Sequence, residues 1–281
     1  METTTLNKQI QHFYDQSTQL WLDTWGEHMH HGYYGPDGRA RKDRFQAQID
    51  LINTLLEWGQ VQEASRILDA GCGVGGSARF LANKFGASVL GVTLSPVQAS
   101  AAAGYTQKAG LTGIVEVRVQ DMTTLGPSDG PFDLIYSMES AEHIADKAGL
   151  FQQFYDMLAP GGRLVMATWC HREEPPALEP FAERQLEKLY RIYHLPPMVS
   201  ISTLGSMAQQ VGFEQVKTED WSDAVSPFWL EVIRSALMPS NFSALLRTGW
   251  STVQGAWAMR YMRQGYRRGF IRFGVIQGIK Y

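Results

Sequence analysis

Cysteine is almost absent: Cys72 and Cys170 are the only two among 281 residues. They support neither a disulfide framework nor a zinc-type ligand set, so a reducing compartment, the cytoplasm, is the expectation. Each thiol reads as a small buried hydrophobe. Charge of one sign is lacking too. Lys and Arg total 25 against 28 Asp and Glu, a net charge of −3, so no global basic field points to nucleic acid. No apolar run reaches the roughly eighteen residues that span a membrane. No repeat or low-complexity tract is visible, and Met1 to Gln11 is polar, without the apolar core of a secretory signal. At 44% apolar composition the chain can fill a large core, and residues 1–281 are read as one domain.

The segment Ile67-Leu68-Asp69-Ala70-Gly71-Cys72-Gly73-Val74-Gly75-Gly76 is the most informative stretch present. It reads as a short apolar strand, an acid, a glycine-rich turn and then a helix from Gly76. That places a ligand at the carboxyl end of a parallel strand, with glycines allowing close backbone approach. Two nucleotide signatures fail. The spacing departs from G-x-G-x-x-G by one residue, and the second strand, Ser88 to Val92, ends in Thr93-Leu94-Ser95-Pro96 without the ribose-binding acid. No Gly-Lys-Ser/Thr follows the glycines either. The D-x-G-x-G-x-G pattern instead resembles the first motif of class I S-adenosylmethionine-dependent methyltransferases. That resemblance implies that Gly71, Gly73 and Gly75 make room for the methionine part of S-adenosyl-L-methionine, with Asp69 beside it and S-adenosyl-L-homocysteine as product.

Strand and helix signals alternate along the chain. Strands are expected at Arg66–Asp69, Ser88–Val92, Val115–Gln120, Phe132–Met138, Arg163–Thr168, Gln215–Asp220 and Gly274–Lys280. Pro160-Gly161-Gly162 reads as a turn leading into the fifth. Helices begin near Gly76, Pro96 and Lys147, and one runs from Arg41 to Trp58 with Phe45, Ile49, Ile52 and Leu56 on its buried face. The alternation reads as α/β, and the strand count fits the Rossmann-like seven-stranded sheet that the methyltransferase resemblance implies. The same resemblance implies an N-terminal lid and helix over residues 10–60, a cofactor-binding core over 61–170, a cap or insertion with the sixth strand over 171–273, and the last strand over 274–281.

Ligand contacts are expected at the carboxyl ends of strands one to four. Thr93, Ser95 and Gln98 offer hydroxyls and an amide to the ribose, although Thr93-Leu94-Ser95-Pro96 also reads as a helix cap. Asp121 and Met122 follow the third strand, where a carboxylate accepts from the adenine amino group and a thioether packs on the ring. Ser137, at the end of the fourth strand, is placed with them.

Longer segments narrow the resemblance. Val92 to Gln98, Ser137-Met138-Glu139-Ser140-Ala141-Glu142-His143, the Trp-Gly-Glu-His-Met-His-His-Gly-Tyr-Tyr core within Trp21 to Tyr34, Ala167 to Arg172 and Arg272 to Ile276 all resemble γ-tocopherol methyltransferases. The likeness runs from about residue 10 to the C-terminus. It implies transfer to a ring carbon of a prenylated phenol or chromanol. The acceptor is γ-tocopherol or its prenylbenzoquinol precursor; because the family includes plant N-methyltransferases, an indole or other amine stays open. It further implies a lid with Tyr14 over the cofactor, and Trp25, His30, His31 and Tyr33 toward a small lipophilic aromatic acceptor.

Methyl transfer from a sulfonium needs alignment, exclusion of water and the handling of one proton. Glu139 and His143 are the catalytic candidates. Four residues apart, they share one face of a helical turn, where a carboxylate can orient an imidazole. Glu142 is expected in solvent. His28, His30 and His31 lack the partners of a zinc site, so no metal is expected. Finally, Arg260, Arg263, Arg267, Arg268 and Arg272 alternate with Trp257, Tyr261, Met262, Tyr266 and Phe270. Such a stretch suits either peripheral contact with an anionic membrane or an ordinary solvated helix face. The oligomeric state is open.

Overall fold

The computed structural model describes residues 3–236 and 250–281. Seven strands build one sheet: β1 (Arg66–Ala70), β2 (Ser88–Thr93), β3 (Val115–Val119), β4 (Phe132–Met138), β5 (Leu158–His171), β6 (Glu214–Asp220) and β7 (Ile271–Ile279). Their order is β3-β2-β1-β4-β5-β7-β6. β1 to β5 pair in parallel, while β7 runs antiparallel to β5 and β6. This is the Rossmann-like methyltransferase sheet that the motifs implied.

Period-two alternation makes the sheet two-faced. Ile67, Leu134, Tyr136, Val165 and Ala167 face one core, shared with α2 (Arg44–Trp58) and α3 (Gly76–Phe85). Leu68, Ala70, Ile135, Leu164 and Met166 face the other, shared with α5 (Lys147–Met157) and α7 (Ile201–Val211). Each fully buried aliphatic side chain contributes about 1.5–3 kcal/mol, so both faces hold the strands in register. Helix starts are set by caps. Asp43 accepts from Gln46 N, Asp146 from Gly149 N, and Ser95 from Gln98 N at the head of α4 (Pro96–Lys108), each worth roughly 1 kcal/mol.

Several expectations are corrected. The helix expected from Arg41 starts at Arg44 because Asp43 caps it. Phe45 is 46% exposed, and the buried face of α2 is Ala47, Leu51, Ile52, Leu55 and Leu56. Pro160-Gly161-Gly162 does not precede β5; it lies inside it, where the register against β4 shifts between Phe132 and Leu134. The polar start is mostly helix: α1 spans Thr3–Trp25. Its inner side carries Ile10, Tyr14, Thr18, Trp21 and Trp25 at helical spacing, with Ile10, Thr18 and Trp25 buried. Before β6 comes α6 (Pro180–Tyr193). After β6 come α8 (Ser222–Val225), α9 (Phe228–Ala236) and α10 (Trp250–Arg268). Residues 237–249 of the expected cap, and the side chain of Trp257, lie outside what is described.

Candidate active site

The strand order reverses between β1 and β4, the position at which open α/β sheets take ligands. A cleft of about 930 Å³, partly open to solvent, lies there. Its floor is the turn after β1. Gly71 has φ +93°, and a Cβ on it would stand 2.2 Å from Cβ of Ser140. Only glycine permits this turn to pass so close to the end of β4. Asp69 is buried beside it, and its Oδ2 has no hydrogen-bond partner among the described residues. Burial pushes its pKa up to about 7, against the pull of the Ala78 backbone hydrogen bond and the Arg79 charge.

At the end of β2, Thr93 Oγ1 donates to Gln98 Oε1 at 2.7 Å. Ser95 Oγ caps α4 and donates to Asp15 Oδ1 of α1 at 2.5 Å. At the end of β3, Asp121 Oδ1 accepts from Thr123 N and Oγ1, while its Oδ2 accepts from Asn7 Nδ2 of α1 at 2.5 Å. Tyr14 makes a third tie from α1, its hydroxyl 2.9 Å from Nε2 of His143. Thus α1 closes over the carboxyl ends of β2, β3 and β4. The strap that follows α1 presses on the glycine turn. A Cβ on Gly76 would meet the Glu27 carbonyl at 2.1 Å, and the Glu27 carboxylate pairs with Arg79. Gln48 of α2 fixes the strap by donating to the carbonyls of His28 and His30.

Glu139 ends β4 with φ +50°, a conformation that costs a non-glycine residue of order 1–3 kcal/mol and tends to mark functional positions. Its carboxylate accepts from three donors: His31 N at 2.7 Å, His31 Nδ1 at 2.7 Å and Trp169 Nε1 at 3.0 Å. Burial alone pushes its pKa up, but the charge and hydrogen bonds of His31 outweigh that and hold it below the ordinary range. Glu139 and His143 do not share a helical face, because residues 141–143 form a 3-10 turn. The imidazole that Glu139 orients is His31. Glu142 is not in solvent: it is 2% exposed and accepts from Thr168 Oγ1 at 2.8 Å. Burial first, then the charge of Glu139, push it up to about 8. Burial, with the charges of Lys147 and His194, pushes His143 down to about 4, so it is neutral at pH 7.

Of the residues singled out in the sequence, Asp69, Gly71, Gly73, Thr93, Gln98, Asp121 and Met122 line the cleft, as do Tyr14, His30, Glu139 and His143. Six do not. Ser95 and Ser137 are spent internally, the latter on Ser140 Oγ at 2.9 Å. Gly75 starts α3 against Arg79. Tyr33 packs on Trp221, away from the cleft. Trp25 stacks on Trp21, and His31 lies behind Glu139. Sequence reasoning missed Asn7, Ile10, Glu27, His28 and Met29. The four-residue spacing of Ile10, Tyr14 and Thr18 was the signal for the first two.

Among the described residues the lining carries the carboxylates of Glu27, Asp69, Asp121 and Glu139, and no lysine or arginine. His28, pushed down to about 3 chiefly by burial, adds no positive charge. That balance of charge suits a cationic ligand better than a pyrophosphate, which would draw basic side chains.

A methyltransferase-domain family matches residues 40–218. The fold matches a cyclopropane synthase from Mycobacterium tuberculosis at a TM-score of 0.85 and 17% identity, with 98% of each chain covered. The family match over most of the chain makes it a methyltransferase whose methyl donor is S-adenosylmethionine. The tocopherol O-methyltransferase of Arabidopsis thaliana is 39% identical over 98% of this chain and 82% of its own length. The 2-methyl-6-phytyl-1,4-hydroquinone methyltransferase of Synechocystis is 31% identical over 95% of this chain and 86% of its own. The chain belongs to the tocopherol methyltransferase family.

Proposed function

We propose that this enzyme methylates a ring carbon beside the hydroxyl of a prenylated phenol or chromanol such as γ-tocopherol. The observation that carries the reading is the Glu139–His31 pair, a carboxylate-bound imidazole behind a cleft whose charged lining, among the described residues, is acidic. S-adenosylmethionine, when bound, supplies an electrophilic methyl group and leaves as S-adenosylhomocysteine. Its ammonium and sulfonium charges suit this lining, and Asp69 offers an unpartnered oxygen at the floor.

Asp69 with Gly71 and Gly73 would hold the methionine part, Thr93 and Gln98 the ribose, and Asp121 with Met122 the adenine. The α1 lid excludes water through its ties from Asn7, Tyr14 and Asp15. His143, uncharged and bonded to Tyr14, fastens that lid beside the reacting centre. Loss of the phenolic proton raises the electron density of the neighbouring ring carbons, so a basic group at this end of β4 promotes attack. Alignment in a closed cleft contributes up to about 7–11 kcal/mol.

The Arabidopsis relative is named an O-methyltransferase, and the two outcomes differ in what survives. Carbon transfer leaves the hydroxyl free; oxygen transfer consumes it. Incubation with labelled S-adenosylmethionine and γ-, β- and δ-tocopherol, the hydroquinone precursor and indole amines, followed by NMR of the products, tests the proposal. A methyl ether or an N-methyl product refutes it.

Peripheral membrane contact suits delivery of a tailed substrate. Arg260, Arg263, Arg267 and Arg268 are exposed along α10, a basic stripe over a buried Met262 and Tyr266. Co-sedimentation with anionic liposomes at low salt, lost at high salt, is the expected result; its absence removes this part of the proposal. No helix among the described residues is long and apolar enough to cross a membrane.

A further inference from the structure

Behind Glu139, outside the lining of the cofactor cleft, lies a polar locus centred on His31. The imidazole of His31 is 1% exposed and gives its Nδ1 proton to Glu139. In the neutral form of that tautomer Nε2 carries a lone pair, and Nε2 has no partner among the described residues. Around the ring stand Trp229 at 5.0 Å, Phe228 at 5.2 Å, Phe273 at 5.3 Å, Tyr266 at 5.8 Å and Trp169 at 6.1 Å between centroids. Two of these carry donors that are equally buried and unpartnered among the described residues: the Trp229 indole N–H and the Tyr266 hydroxyl. An unsatisfied buried polar group costs about 1–3 kcal/mol, so three gathered around one ring call for a common partner.

The complement of one acceptor and two donors is a hydroxyl, which gives one hydrogen bond and accepts two. The aromatic walls match a flat, apolar ring attached to it. We propose that the phenolic hydroxyl of the acceptor docks between His31 Nε2, the Tyr266 hydroxyl and the Trp229 N–H, with His31 as proton acceptor and Glu139 as the residue that positions its imidazole. This rests on the proposed function above and deepens it, selecting a free phenol over an ether or a tertiary amine, neither of which has a proton to give.

In the step, the O–H bond of the phenol breaks and an N–H bond forms at His31. The released electron pair conjugates into the ring and becomes the bond from the neighbouring carbon to the methyl group, while the methyl–sulfur pair stays on sulfur. Loss of the hydrogen on that carbon as a proton restores aromaticity, and His31 returns its proton to the oxygen. One proton is released per methyl group. Trp229 and Tyr266 sit on α9 and α10, outside the sheet.

The test uses the full-length enzyme with phenols of graded acidity. His31→Asn is expected to retain S-adenosylhomocysteine affinity by calorimetry and to lose about 10²–10⁴ in kcat, the usual range for a general base. The loss should shrink as the phenol becomes more acidic, whereas wild type should depend little on acidity. Tyr266→Phe should raise the KM for phenol about 2- to 12-fold, the equivalent of one hydrogen bond, without altering S-adenosylhomocysteine affinity. A loss in His31→Asn that is equal for all phenols, or an unchanged KM in Tyr266→Phe, overturns the proposal. Should His31→Asn not fold, Tyr266→Phe decides. Wild type that methylates no phenol refutes the proposed function itself, a result separable from either variant's.

Discussion

Replacing Asp69 with asparagine preserves the shape of the β1 turn and its hydrogen bond from the Ala78 backbone, but removes one charge from the floor of the cleft. In the free enzyme burial holds the carboxyl at about 7. It is then roughly one-tenth ionised at pH 6 and roughly nine-tenths at pH 8, by simple titration. A cationic ligand binds the ionised form. Affinity for S-adenosylmethionine should therefore rise about tenfold, near 1.4 kcal/mol, between those pH values. Binding at pH 6 should release close to one proton. In Asp69→Asn the rise should vanish, and affinity at pH 8 should fall by the value of a charged hydrogen bond, about 1.5–3 kcal/mol. Titration calorimetry at pH 6, 7 and 8, in buffers of different ionisation enthalpy, reads both quantities. The titration of the ligand's own amino group appears in both proteins and cancels in the comparison. Wild-type affinity that stays flat across this range, or an asparagine variant with the same slope, refutes the assignment of Asp69 to the ligand.

Other outcomes follow from the same geometry. Tyr14→Phe removes the tie between α1 and His143 and should lower kcat/KM about 2- to 12-fold, one hydrogen bond's worth, with the melting temperature nearly unchanged. Gly71→Ala drives a Cβ into Ser140 at φ +93°; it should cost about 1–3 kcal/mol of stability and abolish S-adenosylhomocysteine binding by calorimetry. Glu142 is ionised in the unfolded chain above the ordinary carboxylate range, yet in the fold only above about 8. Folding stability therefore falls as pH rises between those values, and Glu142→Gln should remove the slope. Urea unfolding should show the variant gaining on wild type by about 1–3 kcal/mol from pH 5 to pH 8; a constant difference would contradict the buried, protonated carboxyl.

The sheet was legible because its strands write their period and ends plainly. Phe132–Met138 matches residue for residue, and the starts of α3, α4 and α5 follow from Gly76, Pro96 and the Asp146 cap. Where local signals compete with tertiary ones, the reading failed. Phe45 satisfies helical spacing, but Ala47 and Gln48 take the buried side because the strap crosses there and Gln48 holds its carbonyls. Pro160-Gly161-Gly162 has turn chemistry and pairs with neither neighbouring strand; it lies inside β5 as an irregularity between Leu158, paired with Phe132, and Arg163, paired with Leu134 and Ile279. The site was half legible. Residues at the carboxyl ends of strands could be named from topology alone, and most of them line the cleft. Partnerships across the chain could not. Glu139 meets His31 over a separation of 108 residues, and no periodicity reports such a contact. Glu142 reads as a surface acid until Thr168 and the fold enclose it.

The account stands on transfer of a methyl group to the carbon of a phenol inside this acidic cleft. Purified enzyme given methyl-labelled S-adenosylmethionine and γ-tocopherol is the most direct measurement, with the product analysed by NMR. The expected result is a label on an aromatic carbon next to an intact hydroxyl, with one equivalent of S-adenosylhomocysteine. Label on oxygen, or none on any phenol while amines are methylated, contradicts it.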